Sequence, residues 1–146
     1  MHPPASIAYE ERVPWPKTIG EVMTRQPVSV RPDQSLAAAH GIMRSLGVRH
    51  LPVVDHGRVV GVVSQGDLRL LESLDRVDVA RVQVEEAMIG RPYVVGAEEP
   101  LAEVLGAMLD RHIGAVLITE RGHLLGIFTA VDAVVALRKL AVANDR

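Results

Sequence analysis

Residues Ile19–Asp67 align without a gap on Val84–Asp132 at a constant offset of 65 positions, and 11 of the 49 aligned pairs are identical. The identities include Glu21/Glu86, Met23/Met88, Pro27/Pro92, Val30/Val95, Leu36/Leu101, Gly61/Gly126 and Asp67/Asp132. Many of the differences keep the chemistry, as in Val48/Ile113, Val53/Ile118 and Ser64/Thr129. Two copies are too few for a solenoid, and each copy alone would leave an apolar face in water. The expected solution is two units packed face to face about a pseudo-two-fold axis. At 146 residues the chain can bury one sizeable core, so the repeats are expected to form a single module.

Composition then excludes several classes. Hydrophobic residues make up 48% of the chain but fall in short runs, and no stretch reaches the ~20 apolar residues that a membrane helix requires. The start, Met1-His2-Pro3-Pro4-Ala5, has neither the basic nor the apolar region of a signal peptide, which leads to the expectation of a soluble, cytoplasmic protein. The absence of cysteine excludes disulfides, thiol catalysis and thiolate metal sites. A net charge of −2, with 16 scattered basic residues, argues against nucleic acid or a membrane surface as partner.

Residues 1–18 hold four of the nine prolines and the single tryptophan, without periodicity, and are expected to be an extended or disordered arm. Trp15 and Tyr9 could staple that arm to the body or to a dimer mate. Each repeat (19–74 and 84–136, joined by a link at 75–83) then follows one script. A short opening segment leads to Pro27 or Pro92 and a β-rich stretch, Val28–Val30 or Tyr93–Val95. A helix follows, with Asp33 or Ser35 as cap and Leu36, Ala39, Met43 and Leu46 at helical spacing. Its partner carries Leu101, Val104, Leu105 and Met108. Next comes a hairpin turning at Asp55-His56-Gly57-Arg58 or Glu120-Arg121-Gly122-His123, and then a second helix from Ser64 or Thr129. The second copy's final helix is expected over Val131–Ala141, so that 137–146 hold its end and a tail. The order is β-α-β-β-α twice, an α/β class.

Both hairpins run into the same motif, Gly61-Val62-Val63-Ser64-Gln65-Gly66-Asp67 and Gly126-Ile127-Phe128-Thr129-Ala130-Val131-Asp132. A hydroxyl at a helix start sits beside free N–H groups and the positive end of the helix dipole, which suits a phosphate. A carboxylate one turn on offers acceptors for a ribose diol. The same Ser/Thr-x-x-Asp spacing is also a capping box that needs no ligand. Its occurrence in both copies, each time after a glycine that permits close backbone approach, favours a nucleotide cleft.

Together with Ile19-Gly20-Glu21-Val22-Met23-Thr24 leading to Pro27, and with Gly47-Val48-Arg49-His50-Leu51-Pro52-Val53-Val54-Asp55, these motifs resemble a pair of cystathionine-β-synthase (CBS) domains, a Bateman module, over roughly residues 19–136. The resemblance implies a pseudo-symmetric, non-catalytic regulatory module. It implies two clefts for adenosine-containing ligands (AMP, ADP, ATP, S-adenosylmethionine or NAD), a homodimer, and a separate effector protein that reads the occupied state. By position, the first cleft would combine Thr129 and Asp132 with Pro27, Val28, Val48, Arg49 and His50. Arg49 and His50 can neutralise phosphate there. The second cleft would combine Ser64 and Asp67 with Pro92, Tyr93, Gly114 and Ala115. It would lack those cations and hold an uncharged nucleoside portion or stay empty.

Other chemistry finds little support in the sequence. The six histidines include no His-Glu-x-x-His pairing, so no metal site is expected. His40 reads as a polar residue at a helix edge and His112 as a partly buried residue near a helix end. Met43 and Met108 read as packing. No nucleophile has a placed base, so an enzyme is not expected. The rival to a ligand sensor is a structural or interaction module in which Ser/Thr-x-x-Asp only caps helices.

Overall fold

A computed structural model describes residues 14–145. The first repeat opens with one 3-10 turn, Ile19–Glu21, and a two-residue strand β1 (Thr24–Arg25). It continues through α1 (Leu36–Leu46), β2 (His50–Asp55), β3 (Arg58–Ser64) and α2 (Gln65–Glu72). The second repeat comprises α3 (Val84–Ala87), β4 (Val94–Val95), α4 (Leu101–Arg111), β5 (Ala115–Glu120), β6 (His123–Thr129) and α5 (Ala130–Asn144). The fold is the expected α/β arrangement of two packed β-α-β-β-α units.

Local chemistry explains most boundaries. Ser35, not Asp33, caps α1: its hydroxyl accepts from the Ala38 N–H at 3.1 Å, while Asp33 pairs with Arg31. The helix buries Leu36, Ala39 and Met43 and stops at Gly47, whose φ of 67° is left-handed. The equivalent stop on α4 is His112, at φ 53° and exposed, so the expectation of partial burial there is corrected. Leu46 also departs from the expected stripe. It is 51% exposed, because it faces a cleft and not the core. Both hairpin turns place two successive residues at positive φ, His56 with Gly57 and Arg121 with Gly122, the twist that matches a two-residue β-turn.

The two repeats exchange their opening segments. β1 pairs antiparallel with β6 of the other repeat, giving a four-stranded sheet of order β1-β6-β5-β4. The counterpart exchange puts Ile89 against Val62, beside the β2–β3 hairpin, and Val30 runs parallel to Val53 as β4 does to β5. Fully buried Ile19 lies in the core of the second repeat with Val104, Val116 and Phe128. Its aligned counterpart Val84, also fully buried, lies in the core of the first with Leu36, Leu51 and Val63. A third cluster, Val62, Ala115, Leu117 and Ile127, joins the two sheets.

This exchange gives the motif glycines a different role from the one expected. A Cβ on Gly126 would stand 2.6 Å from the Met23 sulfur and 2.8 Å from the Thr24 carbonyl oxygen. On Gly61 it would meet Met88 and Ile89 at the same two distances. The close approach they permit is that of the exchanged strand, not of a ligand.

The segment 75–83 is packed as part of the first repeat. Leu36 and Ala37 donate to the carbonyls of Val82 and Val79 at 2.9 and 3.0 Å. The boundary drawn after residue 136 falls inside the continuous helix α5. Lys17 and Thr18 are already attached to the body: the Leu101 N–H donates to the Lys17 carbonyl, and Thr18 bridges Pro100. Backbone N–H groups of Thr18 and Lys17 donate to the Glu21 carboxylate and hold its pKa below the ordinary value. Trp15 is 67% exposed and so is not buried against the described body, and Tyr9 lies outside the described residues. Among the described residues no helix is long and apolar enough to cross a membrane.

Three outcomes are expected. Gly126→Ala should lose about 1–3 kcal/mol in urea denaturation, the cost of overpacking against backbone. Gly41→Ala, inside α1 with nothing within 4 Å of the added methyl, should gain about 0.5–1 kcal/mol. Separately expressed 1–83 and 84–146 should not melt cooperatively as monomers, because each lacks the residue and strand that complete its core.

Candidate functional site

Both helix starts close the full capping box. In α5 the Thr129 hydroxyl accepts from the Asp132 N–H at 3.4 Å and donates to Asp132 Oδ2 at 3.1 Å, which also accepts from the Thr129 N–H at 2.8 Å. In α2 the corresponding Ser64–Asp67 distances are 3.1, 2.8 and 3.1 Å. The first N–H of each helix is bonded as well, Gln65 to the Arg49 carbonyl at 2.8 Å and Ala130 to the Gly114 carbonyl at 3.4 Å. Of the N–H groups from cap to third helical residue, those of Gly66 and Val131 alone have no partner among the described residues. The helix starts therefore offer an anion less than the motif suggests, and the hydroxyl proton is already committed.

Beside each helix start lies a cavity. The first, about 790 Å³, is lined by all seven residues expected for the first cleft: Pro27, Val28, Val48, Arg49, His50, Thr129 and Asp132. The second, about 710 Å³, is lined by all six expected for the second: Ser64, Asp67, Pro92, Tyr93, Gly114 and Ala115. Both volumes suit a small ligand. Each cavity is lined by the helix start of one repeat and by the exchanged opening segment of the other.

The second cleft is not without cations. Arg91, from the opening segment, and Arg111 and His112, from the end of α4, line it together with His50. The Arg111 guanidinium stands 5.4 Å from the centre of the Tyr93 ring, within cation–π range. The expectation of a cation-free pocket followed Gly114 and Ala115 as the counterparts of Arg49 and His50. The arginines arrive from positions whose counterparts in the first repeat are Gln26 and Leu46, outside the motif. They could have been found by asking which charged residues flank the aligned helix ends.

The carboxylates are also unequal. Asp132 Oδ1 accepts from the Thr24 hydroxyl at 2.9 Å, a contact that crosses between repeats. The counterpart of Thr24 is Ile89, so Asp67 Oδ1 has no such donor. Burial lowers the His50 pKa from its ordinary value of 6.5, Asp67 pulls it back up, and Arg49 lowers it further. The neutral imidazole is thus favoured by folding, and this group costs stability as the pH falls below 6.5. Arg49 makes no ion pair among the described residues, and Asp55 pairs with His56 instead. Among those residues, no cluster of three His, Asp or Glu could hold a metal ion. His40 is fixed by Glu72 at 3.0 Å.

Comparison with known proteins places this geometry. The CBS-domain profile matches residues 19–72 and 84–139. The structure of CBSX2 in complex with AMP is 27% identical, with a TM-score of 0.75 over 86% of this chain and 98% of that one. The structure described as the acetoin utilization protein AcuB of Vibrio cholerae is also 27% identical, with a TM-score of 0.77 over 88% of this chain and 96% of that one. An inosine-5'-monophosphate dehydrogenase of Korarchaeum cryptofilum is 28% identical over 131 residues, covering 87% of this chain and 26% of that enzyme. The chain spans between 21% and 30% of the length of three curated relatives that it matches, this dehydrogenase among them.

Capping alone makes a checkable demand. Thr129→Ala should cost about 1 kcal/mol in ligand-free denaturation, and Ser64→Ala a similar amount, since each orphans a helix N–H. The chain belongs to the CBS-domain family, as a tandem pair of these non-catalytic regulatory modules.

Proposed function

We propose that this CBS pair senses an adenosine-containing ligand held between its repeats and passes the occupied state to a separate effector protein. One observation carries the reading: each cavity is walled by the Ser/Thr-x-x-Asp helix start of one repeat and the opening segment of the other, so a ligand there would touch both. The AMP complex of CBSX2, a relative of similar length and fold, supports adenosine as the common element.

In the first cleft Asp132 would accept from ribose hydroxyls, with Pro27, Val28 and Val48 around the base. Arg49 and His50 would take the phosphate, since the Thr129 hydroxyl already donates to Asp132. That assignment fits AMP, ADP or ATP, and an S-adenosylmethionine or NAD ligand would share the adenosine contacts. In the second cleft Asp67 would take ribose, and Arg91 and Arg111 would supply the cations. The exposed apolar residues Val134, Val135 and Leu137 on α5 support association, as a homodimer or with the effector.

A second reading is favoured by the closed capping boxes: a ligand-free interaction module in which the two carboxylates serve only helix starts. Calorimetry and thermal shift with AMP and adenosine in parallel separate the two. Sensing predicts stabilisation by saturating AMP. It further predicts that Arg49→Ala weakens AMP by about tenfold or more, the worth of a charge-assisted hydrogen bond, while adenosine changes little. Absence of binding by both ligands would favour the interaction module, and equal losses for both would remove Arg49 from the phosphate site.

A further inference from the structure

His50 breaks the pseudo-symmetry at one point. It begins β2, and its Cα pairs across the hairpin with Ser64, the cap of the second-cleft helix. Yet it also lines the first cleft beside Arg49. Among the described residues, only His50 and Gly114 line both cavities. The two are neighbours: a Cβ on Gly114 would stand 3.2 Å from His50 Nε2, so the glycine leaves room for the ring. The counterpart of His50 in the second repeat is Ala115, which lines the second cavity alone and carries nothing that titrates.

We infer that His50 is a titratable partition shared by the two clefts, so that negative charge placed in either is felt as a proton at His50 and therefore in the other. The inference rests on the clefts being binding sites for phosphorylated ligands. The charged groups around the partition come from every neighbouring element. Asp67 stands at the start of α2 and Arg49 precedes His50 in the chain. Asp132 of α5 and Arg25 of β1 line the first cleft with it, and Arg91, Arg111 and His112 line the second.

An anion in the first cleft favours the imidazolium, and that positive charge then already stands at the wall of the second cleft. By linkage the reverse holds equally. In the ligand-free protein the imidazole is neutral down to below its ordinary value, because burial opposes the charge. The contribution of His50 to anion binding is therefore complete below the ligand-free pKa and is lost as the pH climbs through the raised, ligand-bound one. Coupling between clefts is confined to the window between those two values, since outside it the ring has one protonation state whatever is bound.

The test is NMR titration of the imidazole resonances in the full chain, with His50→Gln assigning the His50 signal. Without any nucleotide, Asp67→Asn, which keeps an acceptor for the cap, should lower the His50 midpoint, and Arg49→Gln should raise it. A midpoint unmoved by either change would overturn the shared partition, because His50 would then sense one cleft only. With AMP as probe, the wild-type midpoint should rise. Wild-type affinity should also fall about fivefold more between pH 6 and pH 8 than that of His50→Gln, a coupling at the low end of those seen between sites. His50→Gln carries the titration of AMP's own phosphate, so the difference belongs to His50. AMP binding that leaves the midpoint in place would overturn the proton link. Absence of AMP binding would count against the proposed function, while the two nucleotide-free variants still decide the partition.

Discussion

The exchange of opening segments is the constraint from which the rest follows. Ile19 and Val84 are each sequestered in the core of the opposite repeat, and a fully buried aliphatic side chain contributes roughly 1.5–3 kcal/mol. Exchange also brings β1 to the edge of β6 and Ile89 to the edge of β3, which only a glycine at 126 or 61 allows. Once those segments are in place, the residues after them, Gln26–Val28 and Arg91–Val94, stand over the helix starts of the other repeat. The clefts are thus a by-product of how the cores are completed. They cannot form within one repeat.

The competing readings of Ser/Thr-x-x-Asp are compatible at the level of single oxygens. In both helices Oδ2 serves the cap, taking the hydroxyl and the cap N–H, and Oδ1 is left for something else. For Asp132 that role is filled by Thr24, so a ribose hydroxyl there must share or displace a contact that ties the repeats together. For Asp67 there is no such contact among the described residues. The capping box therefore fixes the rotamer and does not exhaust the carboxylate. The first cleft combines a committed carboxylate with Arg49 and His50, and the second an uncommitted one with Arg91 and Arg111. Pseudo-symmetry of backbone does not carry over to charge.

Much of this was legible from the repeat. Offset, element order, the hairpin turns at Gly57 and Gly122 and the stop at Gly47 all follow from patterns confined to a few consecutive positions, while the two sets of cleft-lining residues come from the family resemblance, carried over by position. What stayed hidden depends on partners far apart in the chain. Nothing local marks Ile19 as belonging with Phe128, or Gly126 as the seat of Met23. Nor does anything local mark Leu46 as facing a cavity, although its helical spacing matches that of buried Met43. The cations of the second cleft were missed for a related reason. A residue-by-residue alignment transfers what the motif contains, and Arg91 and Arg111 lie where the first repeat has Gln26 and Leu46. Transfer by motif recovers the walls that two copies share and loses the charges that only one copy has.

A ligand can shift a conformational equilibrium only by its differential affinity for the two states. Contacts confined to one repeat have no differential, whereas contacts to Arg49 and Asp132 together change with any movement of one repeat against the other. The elements placed to carry such movement outward are the helices that begin in the clefts. α5 extends 15 residues from Thr129 with Leu140 as its one buried side chain, and Val131, Val134, Val135, Leu137 and Val142 are exposed along it. α2 likewise buries Leu68 and exposes Leu70, with Leu74 exposed just beyond its end. Held by a cap at one end and lightly packed along their length, these helices present apolar surface in an orientation set at the cleft. Under the proposed function, that surface is where occupancy of the cleft would become visible to a partner.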